Sequence, residues 1–225
     1  MFNKLESSQI ELLKWIAIIL MVMDHSGRIL FNDNEYLIAL GRIAFPLFAY
    51  ILAHNYFFFT KNKNKQLLSI LAIAIISQPI YVYVFDSNIL NIMFTLFAGL
   101  LSINLYENLK EKLDRIHFIN SMIVLFVFII VMGYFVEYVF FGIFLIISMY
   151  TGFKLKNNNL IPVSIVLILL SNLPRLSLAP VGILSLPLIL LSKKMKFKIR
   201  RVNKYLFYLF YPIHLLLLHS LFLFL

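Results

Sequence analysis

The residues best suited to chemistry in this chain are ionisable side chains that lie inside apolar stretches. Asp24 and His25 are adjacent, and Arg28 follows Asp24 at the four-residue spacing that lets side chains pair on a helix. Charged groups at bilayer depth are energetically expensive and are rare without a role. A neutral imidazole can accept a proton near physiological pH, and a neighbouring carboxylate can orient it. We therefore predict that His25 is a general base with Asp24 as its catalytic partner; the alternative is that this group merely ends a helix at the membrane interface.

Three cations around this pair are candidate substrate-binding groups: Lys14, Arg28 and Arg42. Lys14 precedes His25 by about three helical turns, so the two residues share a helix face and lie about 16 Å apart. Arg42 lies in the next apolar stretch, where a guanidinium needs a partner such as Asp24, an anionic ligand or a carbonyl oxygen. The alternative is that these long side chains extend to the nearer membrane interface.

A second histidine, His214, lies in the last apolar stretch and is the third catalytic candidate. It lies about 15 Å from the start of its helix, close to the middle of the membrane, and Tyr211 precedes it on the same face. We predict that Tyr211 and Gln78 bind substrate. Each candidate has a simpler explanation, because a lone histidine is often a satisfied hydrogen-bonding group and Gln78 can join helices through hydrogen bonds.

Composition excludes several classes of protein and of site. The 225 residues are 62% hydrophobic and have a mean hydropathy of +0.91, so apolar surface on this scale must face lipid. The absence of Cys excludes thiolate ligands and Cys nucleophiles, and no helix carries three metal-ligating side chains at a suitable spacing, so we predict no metal. The net charge is +10, but the basic residues occupy short connections, which indicates membrane orientation and no nucleic acid.

These residues must be positioned by membrane helices, because apolar segments follow one another along the whole chain. A transmembrane helix needs about 20 residues, so the sequence predicts an all-α, polytopic transmembrane bundle of about nine spans (eight to ten) in a single domain, 1–225. The seventh and eighth segments are short and flanked by prolines, so half-helices, a tilt or a re-entrant hairpin are alternatives. The nine predicted segments are 10–31, 36–59, 66–85, 89–106, 118–134, 138–153, 160–171, 178–192 and 204–224.

Lysine and arginine collect in every second connection. They follow the second, fourth, sixth and eighth segments, whereas the intervening turns are neutral or acidic apart from Arg175. Cytoplasmic loops are enriched in these cations, so we predict a multi-pass protein of the cell membrane with a cytoplasmic N-terminus. The largest basic group runs from Lys193 to Arg201 and suits contact with anionic lipid. The alternative is a basic collar that binds the phosphates of a cytoplasmic cofactor.

Five pieces of the sequence, in a fixed order, resemble the TraX family of multipass membrane proteins. They are LKWIAIILMVMDHSGRIL, GRIAFPLFAYILA, ISQPIYV, LNIMFTLFAGL and KYLFYLFYPIHLLLL. The stretches MDHSG, GRIAFPLFA and FYPIH are the most specific, while residues 107–190 carry no matching motif. The family also looks distantly similar to the large membrane acyltransferases that modify glycans. Those proteins carry Arg at the position of Lys14, and a compact ammonium is not equivalent to a bidentate guanidinium.

The resemblance implies acetyl transfer, because the namesake of the family is tied to N-terminal acetylation of conjugative pilin. It predicts an acyltransferase that passes an acetyl group from cytoplasmic acetyl-CoA to the N-terminal amine of a membrane or exported polypeptide. In this mechanism His25 deprotonates the acceptor, His214 or Tyr211 holds or protonates the thiolester, and Arg42 stabilises the oxyanion. A histidine-acetyl intermediate is an alternative route. Alternative functions are O-acetylation of a surface glycan, a small proton-coupled transporter and a non-catalytic assembly subunit.

Overall fold

The protein is built from helices wherever its structure is described. The computed structural model describes residues 1–196 and 198–224, without the side chains at positions 174 and 204. A 3₁₀ segment, Leu173–Leu184, joins the eighth and ninth α-helices. The α-helices of the described residues are α1 (Ser7–Ile29), α2 (Glu35–Gly41), α3 (Ala44–Phe58), α4 (Lys63–Phe85), α5 (Ile92–Lys112), α6 (Arg115–Phe135), α7 (Val139–Leu155), α8 (Leu160–Ser171), α9 (Ser185–Ser192) and α10 (Lys204–Phe224).

Several helices begin at the short polar residues that interrupt the apolar stretches. The side chains of four N-cap residues accept hydrogen bonds from backbone N–H groups of the first turn, which satisfies donors that a helix start leaves unpaired. These residues are Asn34 for α2, Asn62 for α4, Asn91 for α5 and Asp114 for α6. Local polar chemistry therefore fixes where these helices start, while the apolar residues that follow determine that they lie in the membrane.

The prediction of an all-α, polytopic membrane bundle is confirmed. The seventh predicted segment coincides with α8 and the ninth with α10. Among the described residues, six helical stretches are long and apolar enough to cross a membrane, with α2 and α3 taken together as one of them. Helices α7 and α8 are apolar but shorter, and α1 has 23 residues but includes charged side chains. The eighth predicted segment, 178–192, covers the second half of the 3₁₀ segment and all of α9, so it is a broken helix.

Helices α1, α3 and α7 form the centre of the bundle. Helix α1 packs against α2, α3 and α10, while α7 packs against α3, α5, α6 and α8. Large, fully buried side chains of these central helices include Leu13, Leu47, Tyr50 and Phe153. Helix α6 is peripheral, since only 11% of the residues in its most apolar stretch are buried. Most of its surface therefore faces lipid. The interior that can hold a site therefore lies around α1, α3 and their neighbours.

The two ends of the bundle differ in charge. The lysine-rich end carries the N-terminus and the connections after α3, α5, α7 and α9; there Lys193 Nζ donates to the Met1 carbonyl oxygen at 2.7 Å. The opposite end carries the connections after α1, α4, α6 and α8, and there Arg175 pairs with Asp33 at 2.8 Å. Helix α1 begins at the lysine-rich end and ends at the opposite end, so its ionisable side chains lie at different depths.

Candidate active site

His25 and His214 form a hydrogen-bonded pair inside the bundle. His25 belongs to α1 and His214 to α10, and the two residues are 7% and 4% exposed. His25 Nδ1 lies 2.6 Å from His214 Nε2, and the rings are nearly parallel with their centroids 4.9 Å apart. The pair exists because the first and last helices of the chain pack side by side.

The partners of His214 determine how hydrogens are arranged in this pair. His214 Nδ1 lies 2.8 Å from the carbonyl oxygen of Phe210, which can only accept, so Nδ1 carries the hydrogen. In the neutral ring Nε2 is then an acceptor, and His25 Nδ1 donates to it. The remaining nitrogen, His25 Nε2, keeps its lone pair. The pair can therefore take up one proton at one defined atom.

Beside the histidine pair, Asp24 is held between two guanidinium groups. Its Oδ2 lies 2.9 Å from Arg28 Nη2, and its Oδ1 lies 2.9 Å from Arg42 Nη2. Arg42 Nη1 also donates to Asn172 Oδ1 at 3.5 Å. Asp24 and Arg42 are both buried, so these charge-assisted bonds form a network that ties α1 to the break between α2 and α3.

The carboxylate of Asp24 makes the ion pairs expected with Arg28 and Arg42, but it does not hold the ring of His25. We expected Asp24 to orient His25, but His25 Nε2 lies 4.0 Å from Asp24 Oδ2, which is longer than a hydrogen bond. Both carboxylate oxygens are taken by Arg28 and Arg42, and the ring of His25 is oriented by His214. Asp24 therefore positions Arg28 and Arg42 beside His25 and makes no hydrogen bond to the imidazole.

Gly41 lets α1 and α2 approach closely enough for this network to form. A Cβ atom at position 41 would overlap Asp24, including the backbone Cα at 2.9 Å. Gly27 makes a similar approach, since its Cβ would lie 2.8 Å from the Cβ of Leu37. Small residues at helix crossings bring membrane helices into close contact. Here they place Asp24 next to Arg42, which lies at the break between α2 and α3.

A cavity of about 170 Å³, which we call the narrow cavity, runs beside α1. Lys14 lines one end, and Asp24 and His25 line the other, so the cavity extends over about 16 Å of the helix. Its walls between these ends are mostly apolar and aromatic, as at Phe48 and Leu52. The shape suits a long, thin and flexible group.

A larger cavity of about 790 Å³, which we call the vestibule, lies at the opposite end of the bundle. Its walls are richer in polar and charged groups than those of the narrow cavity. These groups include Arg28, Arg42, Asn172 and Arg175. The vestibule suits a bulkier and more polar ligand.

The two cavities share part of their walls at the turn between α6 and α7. Glu137 and Tyr138 line both the narrow cavity and the vestibule, and we call this shared wall the junction. His25 and Asp24 line the narrow cavity at the same place. A ligand in the narrow cavity therefore contacts His25, and a ligand in the vestibule contacts the Glu137 and Tyr138 side of the same wall.

The hydroxyl of Tyr211 is buried and has no hydrogen-bond partner among the described residues. Tyr211 is 4% exposed, lines the narrow cavity, and has its ring centroid 6.2 Å from that of His25. A buried hydroxyl left unpaired costs about 1–3 kcal/mol. An unpaired group of this kind on a cavity wall indicates a position where a ligand supplies the missing partner.

Two predicted substrate-binding residues lie away from the junction. Lys14 Nζ pairs with Glu11 at 2.7 Å, at the far end of the narrow cavity. Gln78 lines neither cavity: it donates to the Ile89 carbonyl and accepts from the Asn91 N–H, both at 2.9 Å. Gln78 therefore holds the start of α5 against α4, where we had predicted a substrate contact. The predicted residues that the structure does bring together are Asp24, His25, Arg28, Arg42, Tyr211 and His214.

Glu137 and Tyr138 are residues of the site that the sequence did not single out. They belong to an ordinary-looking turn near the opposite end of the bundle, with no charged neighbour in the sequence. A signal was nevertheless present, because only three residues separate the end of α6 from the start of α7. A carboxylate in so short a connection between two apolar helices cannot move far from the membrane.

Comparison with known proteins places this site in a family. The family model described as TraX protein matches residues 9–222, which include both histidines and the whole junction. The chain belongs to the TraX family. Over 238 aligned residues it is 30% identical to the probable fimbrial assembly protein FimC, serogroup H1, of Dichelobacter nodosus, with 92% of this chain and 93% of that protein covered. It is 45% identical to Protein TraX of Escherichia coli (strain K12) over 47 residues, which are 21% of this chain and 19% of that one. No solved structure matches the chain.

Proposed function

We propose that this TraX-family protein is a membrane acetyltransferase that moves an acetyl group from acetyl-CoA to an acceptor amine. The observation that carries the proposal is the junction, where the narrow cavity, lined by His25 of the buried histidine pair, shares the walls formed by Glu137 and Tyr138 with the vestibule. Membership of a family that is associated with pilin acetylation supports it. The acceptor that fits best is the N-terminal amine of a membrane or exported polypeptide.

The reaction needs one base and one acid at the reacting carbonyl. The acceptor nitrogen attacks the thiolester carbon, a C–N bond forms, and the C–S bond breaks. His25 Nε2 takes a proton from the attacking nitrogen and returns it to the departing sulfur. His214 accepts a hydrogen bond from His25 Nδ1 throughout, which stabilises the charge that His25 gains.

The acyl donor enters from the lysine-rich end. Its thin, flexible arm occupies the narrow cavity, and its thiolester carbonyl accepts a hydrogen bond from the unpaired hydroxyl of Tyr211. The connection after α9 lies against the start of α1, since the N–H of Ile199 donates to Ser8 Oγ at 3.3 Å. The cations of this connection form the collar for the phosphates of the donor: Lys194, Lys196, Lys198, Arg200 and Arg201. Lys193 is excluded from the collar because it is bound to Met1, and burial lowers its pKa.

Arg28 and Arg42 place positive charge next to the reacting carbonyl. Both are held by Asp24 on the vestibule side of the junction, so they are fixed before substrate arrives. Fixed cations stabilise the oxyanion that develops on the thiolester oxygen without reorganising. The lysine-rich end then faces the cytoplasm, where acetyl-CoA is available, and the vestibule faces the other side of the cell membrane.

The test is acetyl transfer by purified protein in detergent micelles. The substrates are radiolabelled acetyl-CoA and a hexapeptide with a free α-amine, and product is identified by mass spectrometry. His25→Ala should lower kcat by about 10³-fold, because a positioned general base contributes on the order of 10²–10⁴-fold. The control is His117→Ala, since His117 is exposed in the first turn of α6, and it should keep wild-type kcat.

The proposal would be abandoned if His25→Ala, with a wild-type unfolding midpoint, still acetylated the peptide at the wild-type rate. It would also be abandoned if wild-type protein bound no acetyl-CoA.

A further inference from the structure

The turn between α6 and α7 is fixed by hydrogen bonds to the neighbouring helix. The backbone of Leu90, just before α5, donates to the Phe135 carbonyl at 2.6 Å and accepts from the Glu137 N–H at 3.1 Å. Thr95 Oγ1 donates to the Glu137 carbonyl at 2.6 Å. The backbone of Glu137 is therefore held on both sides, and its side chain keeps its place at the junction.

The residues after Glu137 hold an unfavourable backbone conformation. Tyr138 has φ 64° and Val139 has φ 54°, in the left-handed region that a β-branched residue rarely adopts. Such strain persists only where the surroundings fix it, and it is common at functional sites. Here the ring of Tyr138 stacks on Phe45 with the centroids 3.9 Å apart. The strained turn thereby holds Glu137 and Tyr138 in the wall that the two cavities share.

Glu137 is the carboxylate of the junction that has no cation as a direct partner among the described residues; it has a hydrogen bond with the Tyr81 side chain. Both oxygens of Asp24 are taken by Arg28 and Arg42, whereas Glu137 takes part in no ion pair within the described residues. With Glu137 ionised, the two positive charges of Arg28 and Arg42 equal the two negative charges of Asp24 and Glu137. The ionisable groups that face Glu137 from the surrounding elements are Asp24, Arg28, Arg42, Tyr81, Tyr138 and Tyr211.

The chemistry of an amine acceptor requires a second proton acceptor. At neutral pH the acceptor is an ammonium, and the balanced reaction of an ammonium with a thiolester yields an amide, a thiol and one free proton. His25 returns its proton to the departing sulfur, so it does not remove this extra proton. A hydroxyl acceptor releases no net proton and has no such requirement.

We infer that Glu137 is the residue that binds the ammonium of the acceptor and takes its first proton. The free amine then attacks the thiolester, and the proton leaves Glu137 through the vestibule, which the same carboxylate lines. This inference rests on the proposed function and adds a specificity-determining residue to it. Glu137 selects an amine over a hydroxyl because only the ammonium pairs with a carboxylate and needs to lose a proton.

The experiment compares wild type with Glu137→Gln in steady-state kinetics between pH 6 and pH 9, again with acetyl-CoA and the hexapeptide. An α-amine has a pKa of about 7.7–8.0, so about a tenth of it is unprotonated at pH 7. If the Glu137→Gln variant can use only this fraction, its KM for the peptide should rise about tenfold at pH 7, and the difference from wild type should close towards pH 9. KM for acetyl-CoA should not change.

The matched control is Glu35→Gln, an exposed carboxylate at the start of α2, which should behave as wild type. Glu137→Asp keeps the negative charge, so its KM for the peptide should lie between those of wild type and Glu137→Gln. A second measurement needs no variant: the N,N-dimethylated hexapeptide is a cation that cannot form an amide, and it should inhibit wild type at least tenfold more strongly than the neutral N-acetylated hexapeptide.

The outcomes separate the two proposals. If wild-type protein transfers no acetyl group at all, the proposed acetyltransferase function falls. If wild type transfers acetyl groups but Glu137→Gln keeps the wild-type peptide KM and pH profile, the role of Glu137 alone is rejected. Should Glu137→Gln fail to fold, equal inhibition by the cationic and the neutral peptide rejects that role.

Discussion

The narrow cavity and the vestibule differ in the groups that line them, although they share the wall formed by Glu137 and Tyr138. The narrow cavity, at about 170 Å³, is bounded by the packed helices α1, α3 and α10 and is mostly apolar. The vestibule, at about 790 Å³, lies among helix ends, where Arg28, Arg42 and Arg175 gather. Two cavities of similar size and lining would suit a transporter, in which one ligand passes through both. Unequal cavities suit two different ligands that meet at Glu137 and Tyr138.

The largest effect is expected when the negative charge that holds Arg28 and Arg42 at the junction is removed. Asp24→Asn leaves the guanidinium groups of Arg28 and Arg42 without their shared carboxylate, and removing one partner of a buried ion pair costs about 3–5 kcal/mol. The free energy of unfolding, measured by denaturant titration in detergent micelles, should fall by that amount. Acetyl transfer should fall with it.

A carboxylate at the same end of the protein provides the control for this variant. Asp33 pairs with Arg175, but both side chains are substantially exposed, so Asp33→Asn should change the free energy of unfolding by less than about 1 kcal/mol. Equal losses in the two variants would mean that the buried network does not hold α1 to the break between α2 and α3.

A smaller effect is expected from a change confined to the narrow cavity, and it tests whether the two cavities bind different substrates. Tyr211→Phe removes a buried hydroxyl that has no partner among the described residues, so the free energy of unfolding should stay the same or rise by about 1 kcal/mol. KM for acetyl-CoA should nevertheless rise about tenfold, because one hydrogen bond to the donor is lost. KM for the hexapeptide should not change.

The matched control for this variant is another buried tyrosine that lines neither cavity. The hydroxyl of Tyr56 donates to Asn104 at 3.1 Å, so Tyr56→Phe should lower the free energy of unfolding by about 1 kcal/mol and leave both KM values unchanged. If Tyr211→Phe behaved in the same way, its hydroxyl would have a structural partner and no role in donor binding.

The smallest effect is expected at the far end of the narrow cavity. Lys14 already pairs with buried Glu11 and supplies a single positive charge there, so Lys14→Arg should change KM for acetyl-CoA by less than about threefold. Steady-state kinetics of the Lys14→Arg variant give its KM for acetyl-CoA. The control is Lys154→Arg, because Lys154 lines neither cavity. A tenfold change would show that the geometry of the cation matters at this position and that charge alone is not enough.

Most of the fold could be predicted because membrane helices follow directly from runs of apolar residues. Helices α8 and α10 have the predicted bounds. The break at Arg42 divides the second predicted segment, which the continuous hydropathy around it conceals. The eighth segment is irregular because proline removes a helical donor, and its flanking prolines had indicated this.

The candidate site could be predicted only in part, because sequence spacing describes one helix at a time. The pairing of Asp24 with Arg28 follows from helical geometry, and Arg42 was expected to need a carboxylate. The contact between His25 and His214 joins the two ends of the chain, and no local pattern indicates it. Glu137 was missed for the same reason, since its position depends on how Leu90 fixes a distant turn.

The hydrogen bond from His214 to Phe210 has a consequence for the energised membrane. A peptide carbonyl does not carry a proton onward, so a proton taken up at His25 is not passed through His214 along α10. The imidazole pair buffers charge but does not conduct it. The protein can therefore hold a basic group deep in the bilayer without providing a proton path across the membrane through His214.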